Sequence, residues 1–546
     1  MNKPFAITLD VKSSLANHTG TWRSERPVYV DGLPPCTHAC PAGEQVQAWL
    51  YAAEDGSYEQ AWRRLVNDNP FPAVMGRVCY HPCETACNRA DLDTAVGINS
   101  VERFLGDEAI RQGWRLPQPG AATGRRILVV GAGPCGLAAA YRLRRLGHAV
   151  TIREAGSTAG GMMRHGIPTF RLPRDVLDAE INRLLELGIT LELGARVDNL
   201  AEEMRAGEFD AALLAMGAPL SKRAYIPAAQ SARIIDALGL LADVAAGERP
   251  QLGRTVAVYG GGNTAMDVAR TARRLGAEEA LIVYRRTRAQ MPANDIEVEE
   301  AEAEGVRMTW LSTIAGVVGD TLTIEKMRLD DDGKPQPTGE FEELHADSVV
   351  LALGQDVDRG VLATLPGIAI TDGVVEVGAE MMTSVAGVFA AGDLAPSVRS
   401  VTVAIGQGNA AARGIDGWLR SIGSSAPKPT APSSAVPVAF GQLNPWYFSD
   451  APHVVRPRLD TARRTDDFAE VVGGLDADTA LYEARRCMSC GNCFGCDNCF
   501  GVCPDNAIHK VAEGHGYAVD YDYCKGCGLC ASECPCGAIV MEPEET

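Results

Sequence analysis

All but one of the seventeen cysteines fall in two short stretches, residues 36–87 and 487–536, and their spacing is that of metal ligands. Cys493, Cys496, Cys499 and Cys503, followed by Pro504, spell C-x2-C-x2-C-x3-CP, and Cys524, Cys527, Cys530 and Cys534 with Pro535 spell it again. Turns that deliver thiolates at this spacing suit iron–sulfur cubanes, and in a paired site the fourth cysteine of each run ligates the other cluster. The expected sets are therefore Cys493, Cys496 and Cys499 with Cys534, and Cys524, Cys527 and Cys530 with Cys503. Zinc favours isolated C-x2-C pairs parted by a longer loop. Toward the other end Cys36, Cys40, Cys79, Cys83 and Cys87 stand beside prolines and glycines, a second iron–sulfur pattern. Cys135 reads as a packed small residue, and Cys536 has no set to join.

Two glycine turns offer a different chemistry, the holding of phosphate. Ile127 to Val130 read as a buried parallel strand, Gly131, Gly133 and Gly136 form G-x-G-x-x-G with Pro134 inside it, and an amphipathic helix and a second strand ending at Glu154 follow. Gly131 permits the turn, Gly133 lets backbone approach a pyrophosphate, and Gly136 lets helix and strand touch, with Glu154 placed to accept from a ribose hydroxyl. The second turn carries Gly260, Gly262 and Ala265 as G-x-G-x-x-A, with Asn263 and Thr264 at the helix start to reach phosphate oxygens and Asp267 in the next turn. Arg285, Arg286 and Arg288 follow the next strand, and planar guanidiniums there suit a 2′-phosphate, which favours NADP over NAD. FDAALLAMGA at 209–218 closes the first unit and DSVVLALGQDVD at 347–358, with Gly354, closes the second, an internal duplication.

The elements that must carry these residues are legible in outline. Residues 46–66 are apolar at helical spacing, so the first cysteines sit on loops of a small helical domain. Residues 421–440 are rich in Pro, Ser and Ala and read as a linker. With 546 residues there is chain enough for several domains, and 46% hydrophobic content is that of a globular protein. The net charge of −19 argues against nucleic acid or an anionic membrane as partner. No 18-residue apolar run and no apolar signal core is present, so the expected location is cytoplasmic, where clustered thiols ligate metal rather than form disulfides.

C-x3-CP at 36–41, GRVC-x3-C-x3-C at 76–87 and VERF at 101–104 closely resemble the small subunit of bacterial glutamate synthase. The likeness extends to the N-terminal half of dihydropyrimidine dehydrogenase and the large subunit of the bifurcating ferredoxin:NADP transhydrogenase, and covers residues 30–420. It implies FAD at the first glycine turn and NAD(P) at the second. Gly161, Met162 and Gly166 would line the FAD, Gly392 and Asp393 would meet its ribityl chain, and Thr402 and Val403 would start a helix near the isoalloxazine. It also implies a [4Fe-4S] cluster on Cys40, Cys79, Cys83 and Glu102. The family's opening C-x2-C is replaced here by Val28 and Asp31, which leaves Cys36 and Cys87 two ligands short of a further cluster. Cys487 and Cys490, in EARRCMSCG, resemble that missing pair, so three or four [4Fe-4S] clusters are expected, the fourth if this pair crosses over.

The fold class expected is α/β, with two Rossmann-like domains, the FAD domain interrupted by the NAD(P) domain. The divisions are a helical iron–sulfur domain at 1–120, FAD domain at 121–252 and 357–420, NAD(P) domain at 253–356, linker or arm at 421–480, and a two-cluster ferredoxin domain at 481–546. Such a chain is expected to be an NAD(P)H:acceptor oxidoreductase in which FAD itself does the chemistry, with no catalytic side chain. The resemblance implies one subunit of a hetero-oligomeric complex. Its partner would be a 2-oxoacid:acceptor oxidoreductase of the phenylglyoxylate dehydrogenase type, or soluble ferredoxin. The alternatives are the glutamate synthase small subunit and a sulfite-reductase-associated flavoprotein, while a non-enzymatic iron–sulfur scaffold would leave the glycine turns degenerate.

Overall fold

The computed structural model describes residues 18–222, 226–227, 233–421, 436–511 and 516–544. No helix among them is long and apolar enough to cross a membrane. The apolar run Arg126–Val130 is the middle strand of a five-stranded parallel sheet, ordered Val388–Ala390, Ala211–Leu214, Arg126–Val130, Ala149–Arg153 and Thr190–Glu192. Ile127 to Val130 and Ala211–Leu214 are apolar and buried because helices cover both faces. Helix Pro134–Arg145 follows the glycine turn, and helix Val401–Ser421 packs along it. A Cβ at Gly408 would press into the Cys135 carbonyl, so only glycine lets these two helices meet so closely.

The chain between Leu214 and Val388 builds a second parallel sheet, ordered Arg307–Thr309, Glu279–Val283, Thr255–Tyr259, Ser348–Leu351 and Ile234–Asp236. Ile234–Asp236 precedes residue 253, so this unit starts earlier than its glycine turn indicates; a three-residue edge strand leaves no periodicity to read. An antiparallel sheet of Ser312–Val318, Thr321–Leu329 and Pro335–His345 lays Ile314, Val317, Leu322 and Ile324 over Ala257, Leu281 and Val283.

The N-terminal helices enclose Trp49, Trp62, Phe71 and Met75. Helices Pro72–Val78 and Ile98–Gln112 cross where Gly76 faces Arg103 and Gly106 faces the backbone of Ala73, which sets Cys79 against the helix that carries Glu102. Gly106→Val places a branched side chain into that contact and is expected to lower stability by about 1–3 kcal/mol. Thermal unfolding checks this, and a variant that melts with the wild type would show that the crossing can spread without cost.

Most of the stretch read as a linker, 422–435, lies outside the described residues. Residues 436–476 are not a free tether. They form a strap of short turns over the N-terminal helices, held by Val438 N–H to Leu33 O at 3.0 Å, Arg456 to Gly76 O at 3.0 Å and Arg103 to Val472 O at 2.6 Å. Helix Ala477–Arg485 then leads into the C-terminal cysteines. Strand Ile539–Pro543 of that last region pairs antiparallel with Glu25–Tyr29, with Val28 opposite Val540. The two ends of the chain thus form one small sheet, and Val28 serves it as a strand residue.

Candidate functional site

Both glycine turns open onto one cavity of about 460 Å³. From the first sheet it is lined by Gly131, Gly133, Pro134, Glu154, Gly161, Met162, Gly166, Gly392 and Asp393, and from the second by Asn263, Thr264, Asp267 and Gly354. Gly131 has φ +105°, and a Cβ there would stand 2.5 Å from the Ala215 carbonyl oxygen. A Cβ on Gly133 would meet nothing nearer than Gly161 Cα at 4.0 Å, so this residue leaves open the space before the helix N-terminus. Glu154 accepts from the Ala132 and Gly156 N–H groups, both at 2.7 Å, which fixes its carboxylate at the end of the second strand. Burial raises the Asp393 pKa and Arg399 opposes the rise.

Several expected residues take other roles. Gly136 does not line the cavity and instead brings the helix against Gly131 and Val129, the close contact its place in the motif leads one to expect. Val401 and Ala404 present the helix face toward the cavity; Thr402 lies on another face and donates from Oγ1 to Cys79 Sγ at 3.2 Å, because successive helical residues are rotated by about 100°. Val403 also faces away from the cavity. At the second turn Gly260 has φ +148° and Gly262 caps helix Asn263–Arg274, so both shape the loop without lining the cavity. The Asn263 amide donates to Tyr80 Oη at 2.7 Å and accepts from Asn294 N–H at 2.8 Å, and Thr264 beside it also lines the cavity. Arg288 is already bound to Glu302 at 3.1 Å and Asp295 at 3.6 Å. Arg285 and Arg286 carry no such ion pair among the described residues.

A junction that motif reading misses joins three parts of the molecule at the cavity wall. Arg171, from the first nucleotide unit, pairs with Asp267 at 2.8 Å and Glu297 at 2.5 Å, both from the second. Tyr80, next to Cys79 in the helical domain, donates to Glu297 at 2.8 Å. Burial raises the pKa of both carboxyls and the Arg171 guanidinium pulls them back down. Tyr80 follows a predicted ligand and Arg171 lies in the glycine-rich segment after Glu154, but no spacing rule marks either.

The thiols assemble in groups. Cys503, Cys524, Cys527 and Cys530 line one cavity of about 20 Å³, the set the motif rule assigns. Burial raises the Cys496 pKa, with Cys534 and Cys493 near enough to add to the rise, and Cys499 accepts a hydrogen bond from Tyr29 Oη at 3.2 Å. Cys536, unassigned by the motif, sits 3.8 Å from Cys534 Sγ to Sγ. In the helical domain Cys40, Cys79, Cys83 and Glu102 lie together, and burial raises each pKa, with Glu102 adding to the rise of the thiols and Glu44 to that of Glu102. Glu102 shares the Asn69 amide with Glu44, at 2.8 and 2.9 Å. Cys36, Cys87, Cys487 and Cys490 line a second cavity of about 20 Å³. No three His, Cys, Asp or Glu among the described residues converge on the spacing that holds a single ion; the sets ring their cavities.

Helix Val401–Ser421 stands between the two kinds of site. A Cβ on Gly406 would fall inside the Pro41 carbonyl, next to Cys40, and the same helix packs on Cys135 through Gly408. The helix thus meets the nucleotide cavity through Val401 and Ala404 and the Cys40 set through Thr402 and Gly406. A protein built this way is an FAD- and NAD(P)-dependent oxidoreductase carrying [4Fe-4S] clusters.

It belongs to the pyridine nucleotide-disulphide oxidoreductase family, which residues 125–408 match. Residues 10–114 match dihydropyrimidine dehydrogenase domain II, 4Fe-4S cluster, and residues 492–538 a 4Fe-4S dicluster domain. The chain is 36% identical over 507 residues to the NADP(+)-dependent formate dehydrogenase subunit beta of Moorella thermoacetica, covering 84% of this chain and 70% of that one. It is 30% identical over 538 residues to the putative oxidoreductase YgfK of Escherichia coli O157:H7, covering 94% of this chain and 50% of YgfK, so it spans half of that relative's length. With the glutamate synthase [NADPH] small chain of Mycobacterium tuberculosis H37Rv it shares 34% identity over 438 residues, 74% of this chain and 89% of that one.

Proposed function

We propose that the chain is the NADP-linked electron-transfer subunit of a larger oxidoreductase, exchanging hydride between NADP(H) and FAD and single electrons with a partner of the 2-oxoacid:acceptor type, phenylglyoxylate dehydrogenase among them. FAD supplies the conversion between two-electron and one-electron chemistry. The observation that carries the reading is the shared cavity, into which both glycine turns open and whose wall includes Tyr80, the neighbour of Cys79. The N–H groups at the start of helix Pro134–Arg145 would hold a pyrophosphate, Glu154 and Asp393 would accept from hydroxyls, and Arg171 fixes the second unit against the first. Orientation is what the protein contributes, and no side-chain acid or base is called for.

Membership of a complex is supported by the relatives, two of which are named as subunits or chains of NADP-linked enzymes. A glutamate synthase small-chain role is the second reading, favoured by 89% coverage of that relative. Against it stand the C-terminal cysteines, because that match covers 74% of this chain and a dicluster domain occupies 492–538. NADPH-dependent dye reduction by the purified chain, with FAD retained through desalting, tests the core of the proposal; a scaffold would show neither. Arg285→Ala with Arg286→Ala is expected to raise the NADPH KM roughly ten- to a hundred-fold, the loss of one or two charge-assisted hydrogen bonds, with the NADH value little changed. Equal effects on both nucleotides would remove the NADP assignment.

A further inference from the structure

Cys487 and Cys490 fall outside both regions matched as 4Fe-4S, which end at residue 114 and begin again at 492. Yet the fold carries them into the helical domain, where they share a cavity with Cys36 and Cys87. We propose that these four thiols ligate a [4Fe-4S] cluster whose ligands come in pairs from opposite ends of the chain.

Three observations carry this. The cavity has the same volume, about 20 Å³, as the one ringed by Cys503, Cys524, Cys527 and Cys530, and like it is bordered by four thiols. The loop geometry matches as well. In the C-x2-C turns beginning at Cys493 and Cys524 the residue before the second cysteine is left-handed, Gly495 at φ +78° and Gly526 at φ +73°. Ser489 takes the same place between Cys487 and Cys490 at φ +50°, although it has a Cβ and pays a steric penalty there. A core-packed pair of thiols has no need of that conformation, whereas a turn that aims two sulfurs at one body does.

The third observation is how firmly the crossing segment is seated. Gly32 N–H donates to Gly491 O at 2.8 Å, Gln47 to Ser489 Oγ at 3.2 Å, and Arg89 to Arg486 O at 2.9 Å. Arg486 is buried and bound to Glu483 at 3.0 Å and Asp93 at 3.2 Å, so its charge is balanced inside the helical domain. Asn88 donates to Cys490 Sγ at 3.5 Å. Cys493 follows Cys490 by three positions, roughly 10 Å when extended, so the site adjoins the first set of the C-terminal region. Cubane ligation accounts for all four thiols, and it leaves Val28 free to serve the strand that ties the ends together.

The inference rests on the iron–sulfur reading of the chain and is independent of its nucleotide and partner. Anaerobically purified full-length protein is expected to hold about sixteen irons per chain, and Cys487→Ser with Cys490→Ser about twelve, four per cubane. FAD content and the remaining reduced-cluster EPR signals serve as the fold control. Cys36→Ser, made from the other end, is expected to remove the same EPR signal as Cys487→Ser. Wild-type protein with about twelve irons, a double variant that loses none, or different signals lost from the two ends would each overturn the proposal. Full iron with no NADPH oxidation would uphold this site and sink the functional reading instead.

Discussion

Gly133→Val is expected to give a folded chain that purifies without FAD. An added Cβ meets no protein atom nearer than Gly161 Cα at 4.0 Å, so the backbone tolerates it, and the methyl groups beyond it extend toward the cavity before the N-terminus of helix Pro134–Arg145. That space is where a pyrophosphate must lie to use the N–H groups of the turn. The flavin-to-protein ratio after desalting is expected to fall from near one to near zero, with the irons of the C-terminal sets unchanged. Retention of stoichiometric FAD would mean that the first turn has been assigned to the wrong nucleotide. The neighbouring glycines give a contrast, since a Cβ at Gly131 or Gly136 runs into backbone and those variants are expected to fail at folding.

Arg171→Met is expected to destabilise the protein by about 3–5 kcal/mol, because it strands Asp267 and Glu297 as buried, uncompensated charges. The loss has a pH signature. Burial already raises both carboxyl pKa values against the pull of Arg171, and without the guanidinium they rise further above the unfolded value of about 4. The folded variant then binds more protons than the unfolded chain, so its deficit is smallest near the unfolded pKa and deepens as pH rises through the raised folded values. Urea unfolding across that range checks both size and slope; a deficit that is flat with pH would show that the two carboxyls find another partner. Tyr80 and Asn263 reach this junction from the helical domain and from the second turn, so the same variant is expected to loosen the second unit and raise the KM for NADPH.

What the sequence made legible was chemistry with a fixed local spacing. The two glycine turns and the C-x2-C runs need only a few consecutive residues to define their geometry, and those residues lie where the pattern places them. Asn263 and Thr402 mark the limit of that logic: each sits at the expected helix start, but a side chain turns toward whichever neighbour the tertiary fold supplies, here Tyr80 and Cys79. Ile234–Asp236 went unread because an edge strand of three residues has no period. Arg171 and Glu297 were invisible for another reason, since a buried ion pair between residues 126 positions apart leaves no trace in either local stretch. The grouping of Cys487 and Cys490 with Cys36 and Cys87 was reachable only through the resemblance and the thiols left over.

The small sheet made from Glu25–Tyr29 and Ile539–Pro543 has a consequence for how the protein is made. The first strand leaves the ribosome more than five hundred residues before its partner exists. At roughly 5–20 residues per second it waits on the order of 25–100 s with its hydrogen-bonding edge bare. Both nucleotide units can close during that interval, the inserted second one first, since their strands lie within the intervening chain. The small sheet cannot close until residues 539–543 have been made, so for that interval the edge of the first strand is open to pairing with other nascent strands.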